Sequence, residues 1–326
     1  LLMSTRAVER TGKSAGVHYR RMLWMALFGA IHGLCIWMGD ILFFYSICGL
    51  IVFLFRRRRP WLLCTVGIVL YLIPVLLLAN LPSFMEHMPE EEMKEMVNMW
   101  APSAEVLESE IATYRSGYLA QMPKRLETWL QMFGFLLIFG WRLLGVMLLG
   151  MAAFKCNILS AGRSRRFYAT MVVVGFTVGI PLALVGMLKA QACEWDMLQC
   201  MGPVSLYNYF GSLFVAAAWI GAVMLLCKSS ILPGLRGRLG AVGRMAFTNY
   251  IMHSVLCTLL FYGHGFGLYG RVGRPTQFAI VLGIIALQLW YSPLWLRHFK
   301  FGPLEWLWRS LTYWSRQPFR RAEAVG

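Results

Sequence analysis

Three ionisable side chains lie inside apolar stretches, and their types suit proton transfer. His32 and Asp40 stand eight residues apart in IHGLCIWMGDILFFY, and Arg142 lies in FGWRLLG. An imidazole exchanges a proton near neutral pH, a carboxylate can orient an imidazole, and a guanidinium can stabilise a developing oxyanion. Because an unpaired charge in such surroundings is expensive, these residues are candidates for function. We take His32, Asp40 and Arg142 as candidate catalytic residues.

Each of the three also has a structural alternative. His32 could be a neutral imidazole that bonds a neighbouring helix. Gly39 can end one helix, and Asp40 can cap the start of the next at ILFFY. Arg142 could form an internal ion pair with Asp40 or another acid. The residue types alone leave both alternatives open at each position.

Further polar residues are candidate ligand-binding positions, namely Arg20, Arg21, Arg244, Asn249, Tyr250, Glu305 and Arg309. Arg20 and Arg21 lie about three helical turns before His32, where they would attract an anionic molecule that enters from that side. Asn249 and His253 are four residues apart on one helix face, where they could bond a neighbouring helix or line a cavity. No nucleotide-binding glycine loop, no nucleophile elbow and no metal-ligand spacing occurs in the sequence.

The elements that must position these residues are membrane-spanning helices. The chain is 58% hydrophobic and only 14% charged, whereas soluble domains have about 25% charged residues. We predict an all-α polytopic helical bundle, as one transmembrane domain over 1–326. About eight spans are expected, at 22–38, 41–55, 61–80, 129–154, 168–190, 206–227, 245–263 and 276–296.

The distribution of charge predicts the orientation. Most of the 31 lysines and arginines lie in alternate connections between the predicted spans, which places those connections and both ends of this chain in the cytoplasm. The net charge of +16 does not indicate nucleic-acid binding, because the cations are not gathered on one soluble face. The expected partners are membrane lipids and a small-molecule or lipid-linked substrate.

Two segments outside the spans have patterns of their own. The connection 81–128 holds more than half of the 15 acidic residues and is predicted to be an extracytoplasmic loop with two short amphipathic helices, either a solvated cap or a lid. Residues 297–326 are predicted to form a cytoplasmic interfacial helix and a basic tail, with Glu305 and Arg309 as an i,i+4 pair. Cys193 and Cys200 share a predicted outer loop and could form a disulfide in an oxidising compartment.

Four blocks, in order, carry a family resemblance over essentially the whole chain. They are RRMLWMALFGAIHGLCIWMGDILFFYSICGL, GWRLLGVMLLG, GRMAFTNYIMHSVLCTLLFYGHGFGLYG and SPLWLRHFKFGPLEWLWRSLTYW. The chain resembles the YeiB-like bacterial inner-membrane proteins, domain-of-unknown-function family 418. The resemblance implies a multi-pass protein of the bacterial inner membrane with further helices upstream of Leu1, where the family has an Asp-x-x-Arg-Gly motif. Residues that match family motif positions include His32, Asp40, Arg142, Arg244, Asn249, Tyr250, Glu305 and Arg309, whereas His253 departs from the usual glutamine.

The family is grouped distantly with membrane acyltransferases, which makes acyl transfer the first functional hypothesis. His32 would be the general base on an acceptor hydroxyl and Arg142 would stabilise the developing negative charge. Arg20, Arg21 and Arg244 would attract a phosphorylated donor such as acyl coenzyme A. The alternatives are a transporter or transport-associated protein for a small solute, with the same polar residues lining its path, and a non-catalytic membrane scaffold.

Overall fold

The computed structural model describes residues 14–321, apart from the side chains at 14, 135, 137 and 138. Helices make up 79% of the structure, and no strand occurs between residues 14 and 321. The prediction of an all-α fold is therefore confirmed.

The helices alternate between long apolar elements and short polar ones. In the first half of the chain they are α1 (Ser14–Ile31), which continues into a π-helical turn (His32–Ile36), then α2 (Leu42–Val52), α3 (Pro60–Ala79), α4 (Leu81–Met85), α5 (Glu90–Trp100), α6 (Ala104–Arg115) and α7 (Met122–Lys155). In the second half they are α8 (Arg165–Ala192), α9 (Met197–Met201), α10 (Ser205–Lys228), α11 (Pro233–Arg244), α12 (Ala246–Phe261), α13 (Arg274–His298) and α14 (Pro303–Tyr313).

Residue contacts divide the described chain into two compact units. Unit 1 consists of residues 14–54, 107–136 and 232–321, and unit 2 of residues 55–106 and 137–231. Unit 1 contains His32, Asp40 and Tyr250, whereas unit 2 contains Arg142. The prediction of a single transmembrane domain stays a prediction.

Four helical segments are long and apolar enough to cross a membrane. They are Pro60–Ala79, Arg165–Ala192, Met197–Lys228 and Arg274–His298, and a fifth is added if the two halves of α7 count as one span. These segments are those of a helical membrane protein. Each of the eight predicted spans contains a helix, but α2 and α12 are shorter than the roughly 20 residues that a crossing needs. The count of eight spans and the orientation of the ends therefore stay predictions.

Glycines bring the helices of unit 2 into close contact. A Cβ at Gly175 of α8 would lie 2.6 Å from the Ala218 Cβ of α10, and one at Gly179 would lie 2.8 Å from the Gly211 carbonyl oxygen. Small residues at a helix interface let backbones approach closely, as is usual between membrane helices. Tyr71 and Tyr209 strengthen unit 2, because each hydroxyl donates to the other's carbonyl oxygen, at 2.5 and 2.6 Å.

The two segments predicted outside the spans are helical. The acidic connection forms α5 and α6, and Glu90, Glu91 and Glu92 occupy the first turn of α5, where the helix dipole favours negative charge. The interfacial segment forms α14. Its location, like that of the acidic connection, stays a prediction. Cys193 and Cys200 are free thiols whose sulfur atoms lie 4.0 Å apart.

Candidate functional site

His32 and Asp40 form a buried hydrogen-bonded pair in unit 1. The Nδ1 of His32 lies 2.8 Å from Oδ1 of Asp40, and the two residues are 1% and 0% exposed. Because an ionised carboxylate only accepts hydrogen bonds, Nδ1 donates to Asp40, and in a neutral imidazole the lone pair is then on Nε2. Nε2 is buried and has no hydrogen-bond partner among the described residues. The imidazole is therefore oriented by an acid at one nitrogen and has no such partner at the other.

Asp40 also caps α2. Its Oδ2 accepts a hydrogen bond from the backbone N–H of Phe43 at 2.7 Å, which satisfies a donor that the first turn of a helix leaves unpaired. One carboxylate thus orients the histidine and caps the next helix. The two roles that the sequence left as alternatives are both present in the geometry.

Tyr250 of α12 completes this cluster. Its hydroxyl donates to Asp40 Oδ1 at 3.4 Å and accepts from the Ile41 N–H at 3.3 Å, and its ring centroid lies 5.0 Å from that of His32. The sequence made Tyr250 a candidate ligand-binding residue and gave no indication of its contact with Asp40. The structure brings it to the pair from more than 200 residues away.

The local backbone makes room for the pair. His32 begins the π-helical turn that ends at Ile36, and such turns are frequent at functional sites. A Cβ at Gly29 would lie 2.7 Å from Asp40 Oδ2, and one at Gly33 would overlap the indole nitrogen of Trp129. Only glycine at these two positions allows Asp40 and Trp129 to approach the helix that carries His32.

Comparison with known proteins identifies the family. The model of the family described as "Protein of unknown function (DUF418)" matches residues 153–315. The uncharacterised protein YxaH of Bacillus subtilis is 30% identical over 339 residues, which cover 100% of this chain and 79% of YxaH. The chain belongs to the DUF418 family. The uncharacterised protein YeiB of Escherichia coli is also 30% identical, over 91% of this chain and 76% of YeiB.

The resemblance to YeiB-like proteins is thereby confirmed. An uncharacterised 39.9 kDa protein from the amylase 3' region of Bacillus acidopullulyticus is 38% identical over 32% of this chain and 30% of its own length. No solved structure gives a significant match. The names of these DUF418 relatives assign no activity, so a role for the site has to be inferred from its chemistry.

Arg142 has neutral partners inside unit 2 of this DUF418 protein. Its Nη2 donates to the Ser212 hydroxyl at 2.9 Å, and its guanidinium lies 4.3 Å from the ring centroid of Tyr209 and 5.8 Å from that of Tyr71. Cation–π contacts of this kind stabilise a desolvated guanidinium. No ion pair between described residues 14 and 321 involves Arg142, and Asp40 bonds to His32.

Asn249 connects three helices. Its side-chain nitrogen donates to the Val242 carbonyl and to the Ser292 hydroxyl, each at 3.2 Å, and its oxygen accepts from the Tyr291 hydroxyl. The side chain is 4% exposed. These contacts fit the interhelical role that the sequence left open for Asn249, because they join α11, α12 and α13.

The predicted ligand residues of the last block have interhelical contacts as well. The Glu305 carboxylate of α14 accepts from the Phe247 N–H at 2.7 Å, the Thr248 N–H at 3.0 Å and the Thr248 hydroxyl at 2.5 Å. It therefore caps the first turn of α12. The guanidinium of Arg309 lies 4.4 Å from the centroid of the Phe301 ring.

The remaining candidate cations differ in exposure. Arg244 is exposed at the end of α11, whereas Arg20 and Arg21 are partly buried in α1. The guanidinium of Arg21 lies 4.1 Å from the Trp308 ring centroid, and the Trp308 indole donates to the Arg21 carbonyl at 3.0 Å. Arg21 is thus held against α14.

Arg125 is a buried cation that the sequence analysis treated as part of an outer connection. It is 0% exposed, and it donates from Nη1 to the Cys35 carbonyl and from Nη2 to Gln121 Oε1, both at 2.9 Å. The signal that could have revealed it is the four-residue spacing of Gln121, Arg125 and Trp129, which places all three on one helix face at the start of an apolar run.

Proposed function

We propose that this protein is a membrane acyltransferase-like enzyme in which His32 is the general base. The observation that supports this most directly is the buried His32–Asp40 pair with its unpartnered Nε2. A base whose protonated form is stabilised by a carboxylate, and whose other nitrogen is free, matches the requirement for activating a hydroxyl. No role in the reaction is assigned to Arg142, because its hydrogen-bond and ring contacts are with residues of unit 2.

The proposed step is the transfer of an acyl group from a thioester to an alcohol. Nε2 of His32 accepts the proton of the acceptor hydroxyl while the hydroxyl oxygen attacks the acyl carbonyl carbon. The new C–O bond forms and the C–S bond breaks, and the leaving thiolate takes the proton back from Nε2. The Asp40 carboxylate stays ionised and stabilises the imidazolium in between, and Tyr250 fixes the position of the carboxylate.

The proposed donor is an acyl coenzyme A that approaches from the cytoplasm. Arg21 stands just before the predicted span, and burial, followed by the positive charge of Arg309, lowers the pKa of its guanidinium to about 10. An anion that binds where cations are buried together stabilises the site. Arg20 and Arg21 would contact the donor phosphates, and exposed Arg244 would add long-range attraction.

The proposed setting is the bacterial inner membrane, with eight spans in this chain and both its ends in the cytoplasm. The four or five candidate spans support a membrane location, and the bias of the cations supports the orientation. The acidic connection 81–128 would then lie outside, where the acceptor, a sugar or a lipid-linked alcohol, enters. The amphipathic helix α14 would lie on the inner leaflet.

The test is an acyl-transfer assay on the purified full chain, with radiolabelled acetyl coenzyme A and a panel of sugar and lipid-linked alcohols. We expect label in a product with the wild type and a loss of at least about 100-fold in His32→Ala. The matched control is His87→Ala, which removes an exposed imidazole from the connection between α4 and α5. Retained transfer in folded His32→Ala would remove His32 from the mechanism.

The same preparation separates the alternatives. Uptake of a solute into proteoliposomes without any covalent change would identify a transporter. If a folded His32→Ala variant restores a deletion strain as well as the wild type does, the protein acts as a scaffold. Either result would exclude the proposed enzyme.

A further inference from the structure

Arg125 is a fully buried cation whose partners are all neutral. It bonds the Cys35 carbonyl and the Gln121 amide oxygen, and its guanidinium lies 4.8 Å from the Tyr118 ring and 5.3 Å from the Tyr262 ring. None of the ion pairs found within residues 14–321 includes Arg125. A guanidinium cannot lose its proton at neutral pH, and a buried charge without a counter-charge is costly. Among the described residues, none of the groups that contact this guanidinium therefore carries a negative charge.

The orientation of the Gln121 side chain is fixed by other hydrogen bonds, so its contact with Arg125 is well defined. Its side-chain nitrogen donates to the carbonyls of Tyr114 and Ser116, at 3.0 and 2.8 Å, so its oxygen is directed at Arg125. Gln121 is itself 0% exposed. The guanidinium is thus held by a fixed amide on one side and by the backbone of the π-helical turn on the other.

Arg125 and Trp129, one helical turn apart in α7 and both packed against the turn that begins at His32, each have a hydrogen-bond donor without an acceptor in the described chain. The Nε of Arg125 and the Nε1 of Trp129 are buried and lack a hydrogen-bond partner among the described residues. The Trp129 residue as a whole is 9% exposed. Both groups can only donate. Because buried donors in native proteins are nearly always paired, two orphaned ones beside an unpaired positive charge indicate a missing acceptor. The acceptor that satisfies all three conditions is an anionic oxygen.

This donor pair lies next to the His32–Asp40 site. The Trp129 indole packs against Gly33, whose Cβ position it would overlap, and Arg125 holds the carbonyl of Cys35. Gly33 and Cys35 belong to the π-helical turn that begins at His32. Cys35 and Tyr118, which both contact Arg125, are exposed, so the buried guanidinium lies directly beneath the surface.

The charge of Arg125 reaches its surroundings. Burial, and then the positive charge of Arg125, lower the pKa of His264, whose ring lies 5.6 Å from that of Tyr118. Glu110 is on the same unit, but its carboxylate accepts from the Tyr269 hydroxyl at 3.1 Å and forms no ion pair with Arg125. The positive charge of Arg125 is thus felt by a neighbouring imidazole.

We propose that Arg125 and Trp129 form a binding site for a carboxylate group of a ligand, beside His32. A carboxylate is favoured over a phosphate because a single guanidinium matches one negative charge, and because a planar carboxylate fits the planar guanidinium. The indole N–H would donate to the same ligand. This inference does not depend on acyl transfer, because carboxylate binding is measured without any reaction.

The test measures thermal unfolding of the full chain in detergent with increasing sodium acetate, with sodium chloride keeping the ionic strength constant. We expect acetate to raise the midpoint saturably in the wild type, as a ligand of the native state does. Trp129→Phe keeps the ring but removes the N–H, and it should raise the apparent Kd for acetate about three- to tenfold. Arg125→Gln should abolish the response.

The control is Trp61→Phe, which changes an exposed indole in unit 2 and should respond to acetate as the wild type does. If Arg125→Gln does not fold, the comparison of Trp129→Phe with Trp61→Phe still decides the matter. No response of the wild type to acetate, an equal response in Trp129→Phe, or stabilisation by phosphate but not by acetate would overturn the carboxylate site. A failed transfer assay leaves this readout unaffected.

Discussion

At the scale of the single residue, Asp40 combines two contacts that single substitutions can separate. Oδ1 accepts from His32 and Oδ2 accepts from the N–H of Phe43. Asparagine can keep the cap through its single amide oxygen, but its amide nitrogen then faces Nδ1 of His32, favours the tautomer with the proton on Nε2, and brings no negative charge to stabilise an imidazolium. Function and stability should therefore respond differently to changes at this position.

We expect the free energy of unfolding of Asp40→Asn to lie within about 1 kcal/mol of the wild-type value. The rate of acyl transfer should fall by about 100-fold or more. Asp40→Ala should cost about 2–4 kcal/mol, because it removes the cap and leaves the Nδ1–H of His32 buried without an acceptor. Thermal unfolding and transfer rates of the two variants provide the measurement. Equal loss of stability in both would show that Asp40 does not cap α2.

At the scale of the element, a residue of one helix completes another. The α14 residue Glu305 accepts three hydrogen bonds from Phe247 and Thr248 in the first turn of α12. Gly302 allows this, because a Cβ there would overlap Oε2 of Glu305. The helix that carries Tyr250 therefore begins at a position set by α14.

We expect Glu305→Ala to lower the free energy of unfolding by about 1–3 kcal/mol, because the two backbone N–H groups lose their acceptor. Glu305→Gln keeps one acceptor oxygen and should cost less. Denaturant unfolding of the purified variants is the measurement, with exposed Glu92→Ala as the control for loss of an acidic side chain. If Glu305→Ala were as stable as Glu92→Ala, the capping role would be wrong.

At the scale of the whole molecule, the open question is how many segments cross the membrane. Four or five are long and apolar enough by themselves, while α2 and α12 depend on flanking residues to reach the required length. The cations nevertheless alternate as eight spans require. The arrangement can be tested without assuming any activity.

We expect alkaline phosphatase to be active when inserted after residue 102 and inactive when inserted after residue 160 or fused after residue 326. A fluorescent protein that folds only in the cytoplasm should give the opposite pattern. The physical reason is that connections rich in Lys and Arg stay in the cytoplasm. Phosphatase activity at position 160 would contradict the eight-span arrangement.

The sequence by itself determined where the long helices lie and that several of them are apolar enough for a membrane. Composition and hydrophobic length are local properties, so each predicted span contains a helix, and α5, α6 and α14 occur where amphipathic patterns were seen. The pairing of His32 with Asp40 was within reach of the sequence too, because a short turn separates them. The spacing of the two residues was enough to make them candidates.

Only the tertiary structure decided which distant side chains meet. Tyr250 contacts Asp40, Glu305 caps α12, and Arg125 is buried against the turn after His32 although it stands in a polar connection. These contacts join segments separated by about 60 to 200 residues, and packing between helices selects them. A pattern read along one chain shows which face of a helix is polar, but it does not show which other helix that face will touch.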